Sequence, residues 1–390
     1  MSVKYNTIPP SVKKDEYNPN TQVSFDMSFQ NEKLMSGSVI LSYQINITDT
    51  TGTNRDAIYY DNMAGGHGFL QSIVTSAKRL GQLENIDNYG RYVAMHTDAT
   101  QSADDMFNSS SLYQGKLPDY KLTWVYHTAL GSIANATNID GNLPPEMAEN
   151  AGNEVQRIIP RFYLKLSNVL NNMYNEDGSL GKLSFQKSGI LTMNLTLPSN
   201  LQALFGPKCS NTSSFSFKDI RLHYMTVPED GNNPPLLVKT KSSFPQQLNS
   251  STSTVQAIMP GIVEGFAMSF IRQSDETNVQ SNNLERQQLP NLERVEFVLN
   301  DNNSEYINFP LLNKEEILIN ALEAFNSDGR HHNNLTSAYN VKSDDSRMIG
   351  LKLAAPLDMT NQKMSATITS SVQSTDPFTA YIYVHQIMQI

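Results

Sequence analysis

Two runs near the start of the chain alternate apolar and polar positions with a period of two. In TQVSFDMSF, Val23, Phe25, Met27 and Phe29 fall on one face and Gln22, Ser24, Asp26 and Ser28 on the other. Successive side chains of a strand point to opposite sides of a sheet, so this pattern predicts a half-buried strand. After a turn over Asn31 to Gly37, the residues Val39, Leu41, Tyr43, Ile45 and Ile47 repeat it. The alternation returns at Phe162, Leu164 and Leu166, at Leu191, Met193, Leu195 and Leu197, and at Ile220, Leu222 and Tyr224. Between these runs, AGGHGFLQSIV marks a tight backbone path before another strand, and RLGQLENIDNYGRY reads as a hairpin around Gly81 followed by a return segment. From about 92 to 155 the pattern weakens. A long polar loop with one or two short helices is expected there, and loops of that length inside a compact domain tend to have a job.

The stretch EDGNNPPLLV clusters Asp230, Gly231, Asn232, Asn233, Pro234 and Pro235, which is turn and linker chemistry. Beyond it the strand pattern restarts. Ile262, Glu264, Phe266, Met268 and Phe270 share one face of an expected strand, on which Glu264 must lie near a sheet end or find a partner. Val295, Phe297 and Leu299 form another face, and IGLKLAAPL, MSATITSSV and AYIYVHQIMQI close the chain as strands. One helix stands out. Asn313 can cap KEEILINALEAF, Glu315 and Glu316 complement the dipole in its first turn, and Leu318, Ala321, Leu322 and Phe325 make one apolar stripe. Residues 1–20, with Pro9, Pro10 and Pro19 among polar neighbours, read as an extended arm. The expected division is an arm at 1–20, a first all-β unit at 21–228, a linker at 229–240 and a second all-β unit at 241–390. This is an all-β chain of two tandem sandwiches with short helices in the connections.

Composition narrows the function classes. Only 17% of the 390 residues are charged, with a net charge of −9, so the surface as a whole repels a phosphate backbone and direct sequence-specific nucleic-acid binding is not expected. The one cysteine, Cys209, offers no internal disulfide and points to a reducing compartment. The N-terminus shows no signal-peptide pattern, and no apolar stretch reaches the length needed to span a bilayer. Asn-x-Ser/Thr triplets at Asn46, Asn135, Asn194 and Asn334 are what an Asn- and Ser-rich chain contains by chance.

Candidate chemistry is sparse. His67, His96, His127, His223, His331, His332 and His385 fit no metal-ligand spacing, and the His331-His332 pair sits in a polar loop. AGGHGF lacks the nucleophile elbow that would make it an oxyanion loop, and GSLGKL has the wrong spacing for a phosphate loop, with no Ser or Thr after Lys182. Asp104-Asp105 and Asp344-Asp345 are the candidate carboxylate pairs, yet adjacent carboxylates in polar loops are usually only solvated. Trp124 and Tyr126 could stack on a sugar ring, although Leu122 and Val125 beside them favour packed aromatics. No catalytic, cofactor-binding or metal-ligating residue is assigned, and the expectation moves from enzyme to structural or binding protein.

The order of these segments resembles the double jelly-roll major capsid proteins of tailless icosahedral DNA viruses, a lineage that includes membrane-containing bacteriophages, adenoviruses, virophages, polinton-like elements and large eukaryotic DNA viruses. NPNTQVSFDMSF and LMSGSVILSYQINI are similar to the first two strands of that family's first barrel. AGGHGFLQSIVTSAKRLGQLENIDNY, RFYLKLSNVL, GILTMNLTLP and FKDIRLHYMTVP follow in the family's order, as do VEGFAMSFIRQ, LPNLERVEFVLN, KEEILINALEAF and AYIYVHQIMQI in the second half. The resemblance implies two jelly rolls side by side, three chains forming a pseudo-hexameric capsomer, and capsomers tiling a virion shell, with no enzymatic activity and no cofactor. It implies minor capsid or vertex proteins as partners, synthesis in the host cytoplasm or nucleus, and an arm, made locally basic by Lys4, Lys13 and Lys14, that reaches an internal membrane or a neighbour. Loops 97–120 and 273–290 would form towers or inter-subunit contacts. A carbohydrate-binding or carbohydrate-active sandwich protein is the alternative from a different class.

Overall fold

The computed structural model describes residues 2–49, 60–61, 63–101, 114–116, 155–158, 161–205, 212–259, 261–300, 306–325 and 348–390. In the first half the strands are β1 (Lys4–Ile8), β2 (Glu16–Tyr17), β3 (Gln22–Met27), β4 (Glu32–Met35), β5 (Ile40–Asp49), β6 (Ser72–Ala77) and β7 (Gly81–Asp87). They are followed by β8 (Val155–Ile158), β9 (Phe162–Lys165), β10 (Met173–Tyr174), β11 (Lys182–Ser184), β12 (Leu191–Thr196) and β13 (Ser214–Pro228). The second half contains β14 (Leu237–Leu248), β15 (Thr252–Ile258), β16 (Ile262–Arg272), β17 (Arg294–Asn300), β18 (Tyr306–Leu311), β19 (Met348–Asp358), β20 (Lys363–Thr369) and β21 (Phe378–Gln389). Two longer helices, α1 (Tyr89–Thr100) and α2 (Lys314–Ala324), each follow the seventh or the fifth strand of their half, β7 and β18.

These strands make four antiparallel sheets, two per half, and the strand order repeats. In the second half β14–β21–β16–β19 face β15–β20–β17–β18. In the first half the same places are taken by β1 and β2, β13, β5, and β8 with β9, facing β3–β12–β6–β7. In both halves the first and last strands lie side by side, which is the jelly-roll order. The chain is therefore a double jelly roll.

The expected strand faces are buried. Val23, Phe25 and Met27 pack opposite Leu191, Met193 and Leu195 across a fully registered β3–β12 ladder, while Thr192 and Asn194 stay on the outer side. The first core is reinforced by aromatic contacts, among them Tyr43 stacked on Phe217 at 4.2 Å between ring centroids. Two β-bulges keep apolar residues inward. Along β13, Phe215 and Phe217 are buried, and so are Ile220, Leu222 and Tyr224, because the register shifts between Lys218 and Arg221 with Asp219 at a positive φ of 45°. Along β16 the shift falls at Glu264, so Val263 joins Phe266, Met268 and Phe270 in the core and Ile262 is exposed. This corrects the face expected from strict alternation, and Glu264 finds its partner in Lys239 at 3.0 Å.

Two other expectations change. The residues read as an arm are sheet: β1 pairs with Leu222–Thr226 and β2 with Phe217–Lys218 of β13, in the place that β14 holds in the second half. The hairpin around Gly81 forms as β6–β7, but the residues after Asn88 and the start of the weakly patterned region are α1, most of whose residues are buried, including Arg91, Thr97 and Asp98. α2 forms as read. Asn313 Oδ1 accepts from the Glu316 N–H at 2.8 Å, and Ile317, Ala321, Leu322, Ala324 and Phe325 are buried.

The segment between the halves is tied down. The buried Lys33 ammonium meets Glu229 at 3.2 Å and Asp230 at 2.5 Å and donates to the Asn232 carbonyl. Leu236 and Ile390 exchange backbone hydrogen bonds, so the ladder runs from the linker to the last residue of the chain. β10, from the first half, adds to β14 as an extra strand of the second half's sheet.

Candidate functional site

A set of buried polar side chains lies in the seam where the first jelly roll meets the second. β7, the edge strand of the first unit's β3–β12–β6–β7 sheet, packs against β14. The Asp87 N–H donates to Ser243 Oγ at 3.0 Å, the Ser243 hydroxyl donates to the Asp87 carbonyl at 2.9 Å, and the Tyr383 hydroxyl donates to the Asn88 carbonyl at 2.9 Å. α1, which follows β7, lies on the outward side chains of β21. Tyr92 touches Tyr383 and His385, at 5.3 and 5.9 Å between ring centroids, and the Arg91 guanidinium sits 4.4 Å over the Tyr381 ring.

Three groups of ionisable residues are shut into this seam. In the first, Glu84 of β7 accepts from the Val169 N–H at 2.8 Å, and Lys241 of β14 donates to Ser167 Oγ at 3.2 Å with its ammonium 4.8 Å from the Tyr92 ring. Burial pushes the Glu84 carboxyl up and the Lys241 ammonium down, each partly restored by the other's charge. In the second, His96 and His385 flank Phe325, at 5.9 and 5.4 Å between ring centroids. Burial, with Lys241 nearby, holds both imidazoles down at about 3, so they are neutral in ordinary buffers. In the third, Arg286 lies 3.6 Å from Asp61 and 3.5 Å from Asp98, all three buried. Arg91 adds a further clamp by donating to the Glu285 carbonyl at 2.9 Å and to the Asn283 carbonyl.

These contacts place much of loop 273–290. Asn282 donates to Asp61 at 2.7 Å, and Leu284 fills the angle where Gly90 of α1 comes so close to Gly68 that a Cβ on Gly90 would meet the Gly68 Cα at 3.0 Å. Asn283 and Arg286 are thus buried within the chain, where towers or inter-subunit contacts were expected. The glycine run AGGHGF is a 3₁₀ turn over Gly65–Phe69, and its His67 is fully occupied, with Nε2 2.9 Å from Gln114 Oε1 and Nδ1 3.2 Å from the Tyr89 hydroxyl. Burial holds that ring down at about 3 as well. GSLGKL closes the turn that leads into β11. Asn46 is buried on β5, and Asn194 on β12 accepts from Ser24.

A cleft of about 570 Å³ opens along the seam beside Tyr92, His96, Lys239, Lys241, Phe325 and His385. Its ionisable groups are spread over α1, β10 and the turn that follows it, β14, β16 and β21. Among the described residues no group of three or more His, Cys, Asp or Glu side chains is placed to hold a metal ion, and no helix is long and apolar enough to cross a membrane. Asp104-Asp105, Asp344-Asp345, Trp124, Tyr126, Cys209, His127 and His331-His332 lie outside the described residues. Sequence reading did not find the seam. Its members are single polar residues in separate strands, brought together only by the packing of one jelly roll on the other.

No protein-family model and no curated protein sequence matches the chain. Among solved structures it is similar to the Faustovirus major capsid protein, with a TM-score of 0.64, 7% identity, and coverage of 100% of this chain and 90% of that one. It is also similar to a chain of the Sputnik virophage, with a TM-score of 0.58, 11% identity, and coverage of 100% and 86%. The mavirus major capsid protein matches with a TM-score of 0.51, 10% identity, and coverage of 99% and 90%. At such identities the likeness establishes the double jelly-roll fold over the whole chain.

Proposed function

We propose that this chain is a major capsid protein, three copies of which form a pseudo-hexameric capsomer that tiles an icosahedral virus shell. The observation that carries the reading is the duplication itself. Two jelly rolls of the same strand order are joined through a buried, charge-bearing seam, so that one chain presents two related flanks side by side. Three such pairs in a ring offer six flanks. A cyclic arrangement closes these heterologous contacts without open ends. Structural neighbours over the full length bear the names of virus capsid proteins, which supports the same reading.

The role is architectural rather than enzymatic, and the site of action is the virion shell after synthesis in the host cytoplasm or nucleus. The proposed units divide within 229–240, with residues 4–20 counted in the first jelly roll. Minor or vertex proteins are the expected further partners. The loop between β1 and β2, carrying Lys13 and Lys14, is the part of the former arm left to reach a neighbour or an anionic membrane surface. The seam gives no support to the carbohydrate-binding alternative, since the aromatic rings gathered there pack against one another. Electron microscopy of the purified, negatively stained chain tests the proposal. Hexagonal outlines with threefold modulation are expected, and a field of single compact particles of one chain's size would refute it.

A further inference from the structure

The seam inside the chain has two halves, an edge-and-helix corner on the first unit and an outer sheet face on the second. Each half has a counterpart elsewhere in the same molecule. The counterpart of β7 and α1 is β18 and α2, because β18 is likewise the edge of its four-stranded sheet and is followed by a helix. The counterpart of the β14–β21 face is the outer face of β1, β13, β5 and β9, because these strands hold the same places in the first unit.

Both counterparts carry exposed large apolar side chains. On the sheet face, Tyr5 is 80% exposed and Tyr163 42%, whereas Tyr383 on the corresponding face of the second unit is 0% exposed beneath α1. At the corner, Leu312 is 60% exposed and Ile319 is 55% exposed. Large apolar side chains left out on matching surfaces call for a cover. α2 lies over β19 of its own unit, so it offers its outward edge rather than a whole face.

Charge decides the fit. The outward edge of α2 is acidic, with Glu315, Glu316 and Glu323 exposed around Ile319. The sheet face is basic on balance, with Lys165 exposed and Arg221 exposed beside its carboxylate partner Asp219 at 2.8 Å. His223 on the same face is held between Thr7, 2.9 Å from Nδ1, and Ser42, 2.7 Å from Nε2, which fixes the side chains of three adjacent strands.

We propose that the β18–α2 corner of one copy seats on the outer face of β1, β13, β5 and β9 of a second copy, repeating between chains the contact that joins the two units within one. The proposal rests on the capsomer reading and names its interface. Because the two surfaces differ, the contact is head-to-tail and must close into a ring or run on.

The test compares the full chain with Ile319→Arg, Glu323→Lys, Lys165→Glu and the double variant Glu323→Lys/Lys165→Glu, measuring the concentration at which the assembled species half-dissociates. All three positions are at exposed surfaces, and far-UV circular dichroism checks that each variant is folded; Tyr5→Asp probes the sheet face independently. Each single change is expected to raise the midpoint about tenfold or more, while the double variant, with its charges exchanged, returns to within about threefold of the parent. Singles that leave the midpoint unchanged, or a double variant that adds the two losses, would overturn this interface while leaving the capsomer intact. A parent chain that never assembles would instead overturn the capsomer reading and this proposal with it.

Discussion

His96 and His385 show how the seam depends on the protonation of single residues. Their charged neighbours are Lys116, Lys239 and Lys241, so an imidazolium formed here would be both desolvated and repelled. Both folded-state values, about 3, lie below the ordinary 6.5, so their contribution is fully present above about pH 6.5 and is lost as the pH falls toward 3. Glu84 runs the other way, with a folded value raised to about 7, and its contribution is lost as the pH rises through that value. Replacing His385 by Phe, which keeps a ring against Tyr92 and Phe325, is therefore expected to flatten the fall in Tm between pH 6.5 and 4. Parallel melting curves for parent and variant would contradict this. Arg286 gives a second expectation. Arg286→Met removes the guanidinium that lies 3.6 Å from Asp61 and 3.5 Å from Asp98, all buried, so denaturant unfolding should show a loss of about 3–5 kcal/mol, part of it regained on adding Asp98→Asn. A loss below about 1 kcal/mol would mean that the carboxylates find other compensation.

Elements were legible where one face is buried and the other wet. β3, β12 and β17 alternate cleanly because their outer sides remain partly exposed. β13 and β16 alternate only in pieces. In FSFKDIRLHYM the buried residues switch from odd to even numbers at Asp219, and that change of parity is itself the sequence signature of a bulge. α1 stayed hidden because it is enclosed on nearly all sides and accommodates Arg91, Thr97 and Asp98, which erases the 3.6-residue stripe; its N-cap, Asn88, has a left-handed backbone and makes no side-chain cap. α2 was legible from its cap and stripe, but what it packs on was not. A Cβ on Gly350 of β19 would lie 2.8 Å from the Ala321 Cα, so glycine is what lets the helix settle onto the strand. Gly350→Ala should cost about 1–3 kcal/mol in chemical unfolding. A neutral outcome would show that α2 is free to lift off its sheet.

At the scale of the whole molecule, periodicity indicated two β-rich halves, while the jelly-roll order and the pairing of units came from resemblance to a family. The reason is physical: strand order is set by contacts between residues far apart in sequence, such as Lys4 with Thr226 or Leu237 with Gln389, and alternation within a strand carries no record of its neighbour. The seam is equally non-local, joining Glu84 to Lys241 and Asp61 to Arg286. The proposed capsomer requires this duplicated pair of units to assemble threefold. Native mass spectrometry of the purified chain decides the matter: with a protomer of 43.6 kDa a dominant trimer near 131 kDa is expected, and a single monodisperse species of one chain at micromolar concentration would rule threefold assembly out.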